Sequence, residues 1–481
     1  SGQYLDNINP ATGETYSLIP DSDETDVNAA VLSAKKAFKS WSNTSKEKRS
    51  QALLKLASLI EKNLDRLALA ETNDQGKPLW LSKSVDIPRA VSNFQFYATA
   101  SLHTHTEAHA MEQMALNYTL RQPVGVAGCI SPWNLPLYLF TWKIAPALAA
   151  GCTVVAKPSE ITPMTAYLLS ELAIEAGIPP GVLNIVHGTG PKVGMHIVSH
   201  PDIPAISFTG GTKTGEVISR TAGPMFKKLS LELGGKNPTI IFADCDFEKT
   251  VQTAVRSAFS NQGEICLCGS RIYVERPLYE KFKTAFVAAV KELQTGDPLV
   301  EQNWLGAIAS KAHFEKILSY IDIAKSEGGS ILCGGHAVTP EGRCANGYFI
   351  APTIIEGLDS NCRTNQEEIF GPVVTLQPFD TEEEALTLAN STAYGLACSL
   401  WTNELTRAHR MAAQLEFGIV WINCWLLRDL RTPFGGMKGS GVGREGGFEA
   451  INFFTEERNI RSEEHTSELQ SRQYLVCRLL L

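Results

Sequence analysis

The chain lacks any long uninterrupted apolar stretch, because proline, glycine or lysine breaks each apolar run well short of the roughly 20 residues that a membrane-spanning helix needs. It also lacks the charged and then apolar N-terminal pattern of a secretory signal. Basic residues are not in excess, since the formal net charge is -8, and no basic stripe with interleaved aromatic residues is present. We therefore expect neither a membrane nor a nucleic acid as a partner, and we expect a cytoplasmic location.

Paired cysteines are missing as well. The chain has 11 cysteines, an odd number, and they show neither CxxC nor Cys/His ligand spacing, so a disulfide framework and a zinc site are both disfavoured. His103, His105 and His109 do not all share one helical face, and a polar connecting loop is a simpler interpretation than a metal site. Reduced thiols and no bound metal are therefore expected.

The pattern along the chain is that of an α/β protein. A length of 481 residues exceeds what one core can hold, so two or three domains are expected. The N-terminal part is predicted to be helical, with one helix from about 25 to 41 and another that begins at a capping box of Thr44 and Glu47 and is stopped at Gly76. From 124 to 242, and again from 237 to 424, short β-branched runs alternate with helical segments. Such alternation predicts βαβ units and parallel sheets, whose ligands bind beyond the carboxyl ends of the strands.

The predicted strands of the first region are 126–130, 153–156, 183–186, 205–208, 229–231 and 239–242, and those of the second region are 271–274, 373–377, 398–401 and 418–423. Polar or glycine-rich segments follow three strands of the first region, at 130–136, 157–160 and 208–215. The glycine pair Gly210–Gly211 belongs to neither a Walker A loop nor a GxGxxG motif, yet it allows a pyrophosphate to approach a helix N-terminus; a tight turn is the alternative. Lys157 and Glu160 suit ribose hydroxyls, and an acid there repels a 2′-phosphate, which favours NAD over NADP.

One cysteine and one glutamate are candidates for chemistry. Cys266 follows the segment Asn261-Gln262-Gly263, between a helical pattern and a β-branched run, so its thiol is predicted to lie on an accessible loop or helix end. We interpret it as a nucleophile, although a small buried hydrophobe is the commoner role of a free cysteine. Glu232 lies between two leucines and before a glycine pair, a setting that favours desolvation and the proton affinity of a general base. A salt-bridged acid at a strand end is the alternative.

From Asn9 to about Ile460 the chain resembles the NAD(P)-dependent aldehyde dehydrogenases. Motifs that match this superfamily in order and spacing are Pro132-Trp133-Asn134, Lys157-Pro158-Ser159-Glu160, Phe208-Thr209-Gly210, Leu231-Glu232-Leu233-Gly234-Gly235-Lys236, Asn261-Gln262-Gly263 with Cys266, Glu368-Ile369-Phe370-Gly371-Pro372 and Pro433-Phe434-Gly435-Gly436. Gly211, in place of a frequent serine, and the apolar Ile265 and Leu267 are small departures. Within the superfamily the chain is most similar to the 2-aminomuconic and 2-hydroxymuconic semialdehyde dehydrogenases, through 86–89 and 423–431.

The resemblance implies a Rossmann-type parallel-sheet cofactor domain, a second α/β catalytic domain and a small β oligomerisation arm. The expected divisions are 1–108 and 126–235 for NAD binding, 236–432 for catalysis, and 109–125 with 448–460 for the arm. Residues 461–481 look non-native, because 461–471 reads like one translated frame of a sequencing adapter. We therefore expect the last strand of the family to be missing or replaced, and a homodimer or homotetramer if that strand is native.

The resemblance also implies NAD-dependent oxidation of an aldehyde to a carboxylic acid. Cys266 would form a thiohemiacetal and then a thioester, Asn134 and the Cys266 backbone N–H would hold the oxyanion, and Glu232 would activate the hydrolytic water. The implied catalytic residues are Cys266, Glu232, Asn134 and Lys157; the implied cofactor-binding residues are Ile130, Ser131, Pro132, Trp133, Lys157, Ser159, Glu160, Gly190, Phe208, Thr209, Gly210, Gly211, Thr214, Leu233, Gly234, Glu368 and Phe370; the implied substrate-binding residues are Arg89, Arg428, Asn134 and Phe434.

Two arginines point to a class of substrate. Arg89 and Arg428 match the arginines that grip the far carboxylate in the muconic semialdehyde enzymes, so the expected substrate is 2-aminomuconate or 2-hydroxymuconate semialdehyde. The open alternatives are a surface role for Arg89, another semialdehyde or a general aliphatic or aromatic aldehyde, CoA acylation, a cysteine hydrolase with a distant histidine base, and a catalytically silent descendant. The intact set of Cys266, Glu232 and Asn134 favours catalysis, and Glu232 favours water over CoA.

Overall fold

Two mostly parallel sheets organise the fold in a computed structural model, which describes residues 2–111 and 115–462. The strands are β1 Tyr4–Asn9, β2 Glu14–Pro20, β3 Ala108–Met111, β4 Ala115–Pro123, β5 Val126–Ile130, β6 Thr153–Lys157, β7 Leu183–Ile185, β8 Ala205–Thr209, β9 Lys228–Glu232, β10 Asn237–Ile241, β11 Gly269–Glu275, β12 Ser330–Cys333, β13 Ala337–Val338, β14 Phe349–Ile350, β15 Thr353–Glu356, β16 Val373–Phe379, β17 Tyr394–Gly395, β18 Ala397–Trp401, β19 Ile419–Ile422, β20 Met437–Lys438, β21 Gly441–Val442 and β22 Thr455–Ser462. The α-helices are α1 Glu24–Ser42, α2 Lys46–Lys62, α3 Leu64–Gln75, α4 Leu79–Leu81, α5 Ile87–Ala100, α6 Pro136–Ala150, α7 Met164–Ala176, α8 Met195–Ser199, α9 Thr212–Ala222, α10 Phe247–Phe259, α11 Arg276–Lys291, α12 Lys311–Ser326, α13 Arg363–Gln366, α14 Glu382–Asn390, α15 Leu405–Ala412 and α16 Gly447–Phe453.

The first sheet has the strand order β21-β9-β8-β5-β6-β7, and all its pairs are parallel except β21 with β9. Strands β5, β6 and β8 are buried along their whole length, as expected of strands covered on both faces. The chain runs outward from β5 to β7 and then returns to the other side of β5 with β8. Ligands bind in open α/β sheets at such a reversal, so the carboxyl ends of β5 and β8 mark the expected crevice.

The second sheet has the order β12-β15-β16-β11-β10-β18-β19, and only β12 runs antiparallel to its neighbour. Its central strands β10 and β18 are fully buried. Strand β10 follows β9 after a short connection, Leu233 to Lys236, which joins the two sheets. The fold class predicted from the sequence is therefore confirmed, while the division of the chain into domains stays a prediction.

A third, antiparallel sheet has the order β22-β4-β3. The expectation that the family's last strand, after Ile460, is missing or replaced stays a prediction. Strand β22 pairs with β4 over its whole length, as far as Ser462 opposite Leu116. The pairing uses backbone groups, so it tolerates the side chains of Arg461 and Ser462, and Arg461 Nε also donates to Asn117 Oδ1 at 3.1 Å. The rest of the tail that we expect to be non-native, 463–481, lies outside the described residues.

The predicted helix starts need one correction. Ser45, not Thr44, caps α2 by accepting from Lys48 N, whereas Thr44 Oγ1 donates to Ser40 O at 2.9 Å. The predicted long helix is also interrupted at Asn63, whose Nδ2 donates to Leu59 O and thereby satisfies the end of α2. Its stop at Gly76, with φ +88°, is confirmed.

The described residues hold no group of three or more His, Cys, Asp or Glu side chains that could bind a metal ion. His109 is exposed on β3, where its Nε2 lies 3.3 Å from Glu107 Oε2. In the same part of the chain, no helix is both long and apolar enough to cross a bilayer.

Candidate active site

Cys266 lies on a loop whose backbone is held in an uncommon conformation. Asn261, Gln262 and Gly263 adopt left-handed φ values of +51°, +55° and +72° in succession. A Cβ at Gly263 would overlap the carbonyl of Gly371, so glycine is required there. Gln262 stabilises the turn, since its Nε2 donates to Ala307 O at 3.1 Å and its Oε1 accepts from Gly306 N at 3.2 Å.

A single asparagine holds the backbone at Cys266 and at the residues that follow it. Asn237 begins β10 and its Nδ2 donates to Cys266 O at 2.6 Å and to Cys268 O at 2.9 Å. Trp425 Nε1 donates to the carbonyl between them, Leu267 O, at 2.9 Å. Buried hydrogen bonds of this kind are costly to leave unmade, so the loop is held in one position relative to the second sheet.

Two cavities meet at Cys266. The first, which we call the cofactor cavity, has a volume of about 260 Å³ and lies at the carboxyl ends of β5 and β8. The second, the arginine cavity, has a volume of about 60 Å³ and contains Glu232 and both predicted substrate arginines in its wall. Among the described lining residues, Cys266 and Thr209 belong to both cavities. The thiol therefore stands where a group bound on one side can reach a group bound on the other.

The cofactor cavity collects many of the residues predicted to bind a dinucleotide. The predicted residues in its wall are Pro132, Trp133, Asn134, Thr209, Gly210, Gly211, Leu233, Gly234, Glu368 and Phe370. Trp133 packs edge-on against Phe370 with ring centroids 5.3 Å apart. The left-handed φ of Phe370, +63°, lets its carbonyl accept a hydrogen bond of 2.6 Å from His313 Nε2. These aromatic groups form one wall against which a flat ring can lie.

Elsewhere along the cofactor cavity, glycines leave room for the Glu368 carboxylate and for an anionic ligand. Glu368 Oε1 accepts from Gly235 N at 2.8 Å, and a Cβ at Gly234 would overlap the Glu368 carboxylate. Helix α9 begins after Gly211 without a side-chain cap, and nothing lies within 4 Å of where a Cβ of Gly211 would be. The unpaired N–H groups of this first turn provide a place for a phosphate.

The predicted adenosine-side residues lie at the end of β6, outside the cofactor cavity and the arginine cavity. Lys157 Nζ donates to Glu160 Oε2 at 2.9 Å, and Glu160 Oε1 accepts from Gly190 N at 3.3 Å. Burial opposes charge on Glu160, but attraction to Lys157 and these hydrogen bonds hold its pKa below the ordinary value. Glu160 is therefore an ionised acceptor, and the structure does not bring Lys157 to the thiol.

The remaining predicted cofactor residues surround these groups without lining the cofactor cavity. Ile130, Ser131 and Phe208 are buried at the carboxyl ends of β5 and β8. Ser159 Oγ accepts from Ile161 N at 3.2 Å and shapes the turn after β6. Thr214 is exposed in the first turn of α9.

Arg428 lies in an aromatic box inside the arginine cavity. Its guanidinium carbon is 4.0 Å from the ring centroid of Phe434 and 5.1 Å from that of Trp142, and its Nη1 donates to Tyr138 Oη. No carboxylate forms an ion pair with Arg428 in the part of the chain that the structure describes. The Arg428 guanidinium is half-buried, and the groups that contact it directly are a hydroxyl and aromatic rings, all neutral. It is therefore available to an anionic ligand in the cavity.

Arg89, on α5, lines the same cavity as Arg428. Across residues 2–111 and 115–462 the side chain of Arg89 makes neither a hydrogen bond nor an ion pair. It is half-buried, which argues against the alternative of a fully solvated surface cation. The structure thus brings the two predicted substrate arginines to one cavity, together with Phe434.

Glu232 ends β9 and faces the arginine cavity. Burial raises its pKa to about 8, and repulsion from Glu445 adds to the effect, while Lys143 and Arg428 oppose it. Glu445 is itself ion-paired with Lys143 at 2.8 Å. Glu232 is therefore a carboxyl that binds or releases a proton near neutral pH, which is what a general base requires.

The Cys266 thiol is also strongly affected by its surroundings. Burial raises its pKa above the ordinary value, the carboxylates of Glu232 and Glu368 add to this shift, and Arg428 opposes it. A thiol in this setting holds its proton, so attack on a carbonyl carbon needs a base in the same cavity.

Asn134 is buried immediately after β5 and lines the cofactor cavity next to Cys266. The side-chain Nδ2 of Asn134 donates one hydrogen to Glu264 O at 2.9 Å. The backbone carbonyl of Asn134 accepts from Lys77 Nζ at 3.0 Å and from Asn261 Nδ2 at 3.1 Å. A second Nδ2 hydrogen remains, and the Cys266 backbone N–H has no acceptor among the described groups. Two fixed donors are thus available near the thiol for a developing oxyanion.

Some lining residues were not predicted from the sequence, among them Tyr138, Trp142, His313 and Lys316. Tyr138 and Trp142 lie four and eight positions after Asn134, and this spacing on α6 places them on one helical face, a pattern that could have identified them. His313 is the histidine that a cysteine hydrolase would need, but its Nε2 is engaged with Phe370 O, and burial lowers its pKa to about 4.

Comparisons with known proteins agree over nearly the whole chain. The profile of the aldehyde dehydrogenase family matches residues 1–460. A 2-aminomuconic semialdehyde dehydrogenase of Danio rerio is 53% identical over 462 residues, which is 95% of this chain and 95% of that protein. A 2-hydroxymuconic semialdehyde dehydrogenase of Pseudomonas sp. (strain CF600) is 46% identical over 466 residues, 96% of each. The NAD+ complex of an aldehyde dehydrogenase from Bacillus cereus superposes with a TM-score of 0.93 at 38% identity and covers 96% of this chain and 94% of that one.

Proposed function

The chain belongs to the aldehyde dehydrogenase family, and we propose that it oxidises a short conjugated semialdehyde with a distal carboxylate, 2-aminomuconate or 2-hydroxymuconate semialdehyde, to the dicarboxylate with NAD. The proposal is supported by Arg89 and Arg428, two arginines without carboxylate partners among the described residues, in the wall of a cavity that leads to Cys266. The names of the relatives from Danio rerio and Pseudomonas agree with this substrate class.

The site fits NAD on the chemistry of its walls. The open first turn of α9 with Gly210 and Gly211 would hold the pyrophosphate, and Glu368 with Phe370 would hold the nicotinamide ribose and ring. The ionised Glu160 would accept hydrogen bonds from the adenosine ribose and repel a 2′-phosphate, which favours NAD over NADP. When bound, NAD supplies the acceptor for the hydride that leaves the aldehyde carbon.

Cys266 would attack the aldehyde carbon. Its thiol proton goes to Glu232, a carboxylate in the wall of the arginine cavity that forms no ion pair among the described residues. The resulting oxyanion is held by Asn134 Nδ2 and by the Cys266 backbone N–H, donors that are fixed before the charge develops. The carbon now carries oxygen and sulfur substituents and can give up hydride, which leaves a thioester on Cys266.

The thioester is hydrolysed from the side of the arginine cavity. Glu232, with a pKa of about 8, first releases to solvent the proton that it took from the thiol. It then removes a proton from water as the water attacks the thioester carbon, and it returns this proton to the Cys266 thiolate that leaves. Asn134 and the Cys266 backbone N–H stabilise the oxyanion of this step too. Arg428 and Arg89 hold the far carboxylate throughout, so that the reacting carbon stays at the sulfur.

Arg428→Ala is expected to lower kcat/KM for 2-hydroxymuconate semialdehyde by about 10- to 100-fold, since a charge-assisted hydrogen bond contributes roughly 1.5–3 kcal/mol. The uncharged 2,4-hexadienal, which has the same number of carbons, should lose no more than about threefold, because no carboxylate contact is at stake. Steady-state NADH production with both aldehydes measures the two effects. Arg428 also lowers the pKa of Glu232 and Cys266, so the ratio of the two substrates at one pH is the quantity to compare.

Arg428→Lys provides the matched variant for this test. It keeps the charge but loses the planar fork, so it should recover part of the discrimination between the semialdehyde and 2,4-hexadienal. If Arg428→Ala lowers kcat/KM for both aldehydes alike, the carboxylate role is wrong and with it the proposed substrate class.

Gly234→Ala is expected to raise the KM for NAD by about tenfold, equivalent to roughly 1.4 kcal/mol. The added Cβ overlaps the Glu368 carboxylate and displaces it from the position proposed for the nicotinamide ribose. Gly223→Ala is the control, because nothing lies within 4 Å of the Cβ it adds. An unchanged KM for NAD in Gly234→Ala would remove Glu368 from the proposed cofactor site.

A further inference from the structure

The arginine cavity continues into a larger cavity that no step above uses. This outer vestibule has a volume of about 390 Å³, and Trp80, Arg89, Arg256, Trp304 and Trp425 are in its wall. Arg89 belongs to both the vestibule and the arginine cavity. A ligand in the vestibule can therefore remain in contact with Arg89 as it moves inward.

Arg256 presents a guanidinium to this vestibule. It is exposed on the last turn of α10, its Nη2 donates to Trp425 O at 3.3 Å, and its guanidinium carbon lies 5.8 Å from the Trp425 ring centroid. Within the described ranges Arg256 has no carboxylate partner. The Arg256 side chain is thus held by a neutral carbonyl and an aromatic ring, neither of which neutralises its positive charge.

The charge of the vestibule is opposite to that of the chain. The formal net charge is -8, yet no Asp or Glu is among the described residues that line the vestibule, whereas Arg89 and Arg256 both are. A cleft that carries one sign of charge between low-dielectric walls attracts counter-ions and raises their rate of association. In this acidic protein the route to Cys266 is locally cationic.

Aromatic side chains form the vestibule walls. The rings of Trp80 and Trp304 lie 5.1 Å apart at an angle of 41°, and Trp80 Nε1 is held by Asn303 O at 3.0 Å. Trp425, which supports Arg256, also donates to Leu267 O beside the catalytic cysteine. Flat apolar walls with a guanidinium at the rim suit a planar conjugated carboxylate.

We propose that the outer vestibule is a capture site for the carboxylate end of the substrate, in which Arg256 makes the first contact and Arg89 then draws the carboxylate toward Arg428. This inference rests on the proposed carboxylate-bearing substrate. Arg256 acts on association and lies outside the cavities where the reaction occurs. Removing the Arg256 guanidinium should therefore lower kcat/KM and weaken the dependence of kcat/KM on salt, and it should leave kcat unchanged.

The test compares Arg256→Gln with wild-type enzyme saturated with NAD. At about 0.02 M ionic strength kcat/KM for 2-hydroxymuconate semialdehyde should fall about fivefold, and at about 0.5 M by less than twofold, because salt screens exposed charges. The kcat for the semialdehyde and the kcat/KM for 2,4-hexadienal should stay at wild-type values. Arg256→Lys should restore most of the rate, and Lys55→Gln, which removes an exposed charge outside these cavities, should have no effect.

A second measurement uses trans,trans-muconate, a conjugated dicarboxylate that cannot be oxidised by the enzyme. Its association should quench tryptophan fluorescence in a stopped-flow experiment, since three tryptophans line the vestibule, and Trp304→Phe should reduce the quench. Arg256→Gln should slow the association rate about fivefold at low salt.

The outcomes separate the two proposals. If Arg428→Ala discriminates between the aldehydes while Arg256→Gln leaves both kcat/KM and the muconate association rate unchanged, the capture site is wrong and the substrate class stands. If Arg256→Gln lowers kcat, or lowers kcat/KM for 2,4-hexadienal equally, Arg256 supports the fold through Trp425 and the capture site is again wrong. If Arg428→Ala affects both aldehydes alike, the proposed function fails first.

Discussion

Cys266→Ser is expected to lower NADH production by at least about 10³-fold with every aldehyde, because removing a catalytic nucleophile costs orders of magnitude in turnover. A serine hydroxyl at this place is a much weaker nucleophile, and the carbon it fails to attack does not give up hydride. The fixed loop means that the variant should still fold and bind NAD, since Asn237 and Trp425 hold backbone carbonyls that the substitution leaves in place.

Cys268→Ser is the matched control for Cys266→Ser. Cys268 is two residues away and buried, and its Sγ makes only a long contact of 4.0 Å with Ser260 O, so the substitution gives up little. We expect it to retain turnover within about threefold of wild type, because position 268 lines neither the cofactor cavity nor the arginine cavity. Activity in Cys266→Ser within about tenfold of wild type would contradict a nucleophilic role for the sulfur.

Glu232→Gln is expected to separate the two halves of the reaction. Steady-state turnover should fall by about 10²–10⁴-fold, the usual contribution of a positioned general base. Enzyme with bound NAD should form the first equivalent of NADH more slowly than wild type, because the thiol proton must pass to solvent or buffer instead of Glu232. Hydrolysis of the resulting thioester should be slower still, so NADH production should nearly stop at about one equivalent per active site. Rapid mixing of enzyme and NAD with the semialdehyde, followed by absorbance at the NADH band, measures the burst and the later rate.

The pH profile provides an independent test of Glu232. Its pKa is raised to about 8, so below that pH the carboxyl holds a proton and cannot accept one from water. Wild-type deacylation should therefore rise with pH and level off above about 8, and Glu232→Gln should lack this rise. Glu368→Gln, which changes a buried carboxyl of the cofactor cavity, should alter the KM for NAD and keep the rise. A Glu232→Gln variant with the wild-type pH profile would exclude this residue as the base.

Much of the fold follows from short-range patterns in the sequence. Strands such as 126–130 and 205–208 were predicted within a residue of β5 and β8, because β-branched runs between helical segments are distinctive. Parallel pairing then brings the residues after these strands to one edge, which is how Asn134 and Gly210 could be expected near Cys266. The position of the cofactor cavity can be predicted from the sequence for the same reason.

Other features depend on contacts between distant parts of the chain. His313 and Glu445 reach their cavities from segments without a distinctive local pattern. The choice of Ser45 over Thr44 as a helix cap depends on a competing bond from Thr44 to Ser40, and β22 persists through Ser462 because backbone pairing with β4 does not depend on side-chain identity. These outcomes depend on contacts that compete with one another in the folded chain, and the hydrophobic periodicity of the sequence does not reveal them.

In the proposed function, the meeting of the two cavities at Cys266 and Thr209 separates recognition of the aldehyde from recognition of the dinucleotide. Arg89 and Arg428 come from α5 and from the segment after β19, whereas the dinucleotide walls come from the ends of β5 and β8 and from 368–370. Substitutions in the arginine cavity can therefore change which aldehyde is oxidised while the residues proposed to bind the dinucleotide stay the same. Two separate cavities thus allow the choice of aldehyde to change during evolution while the Cys266 sulfur keeps its place between them.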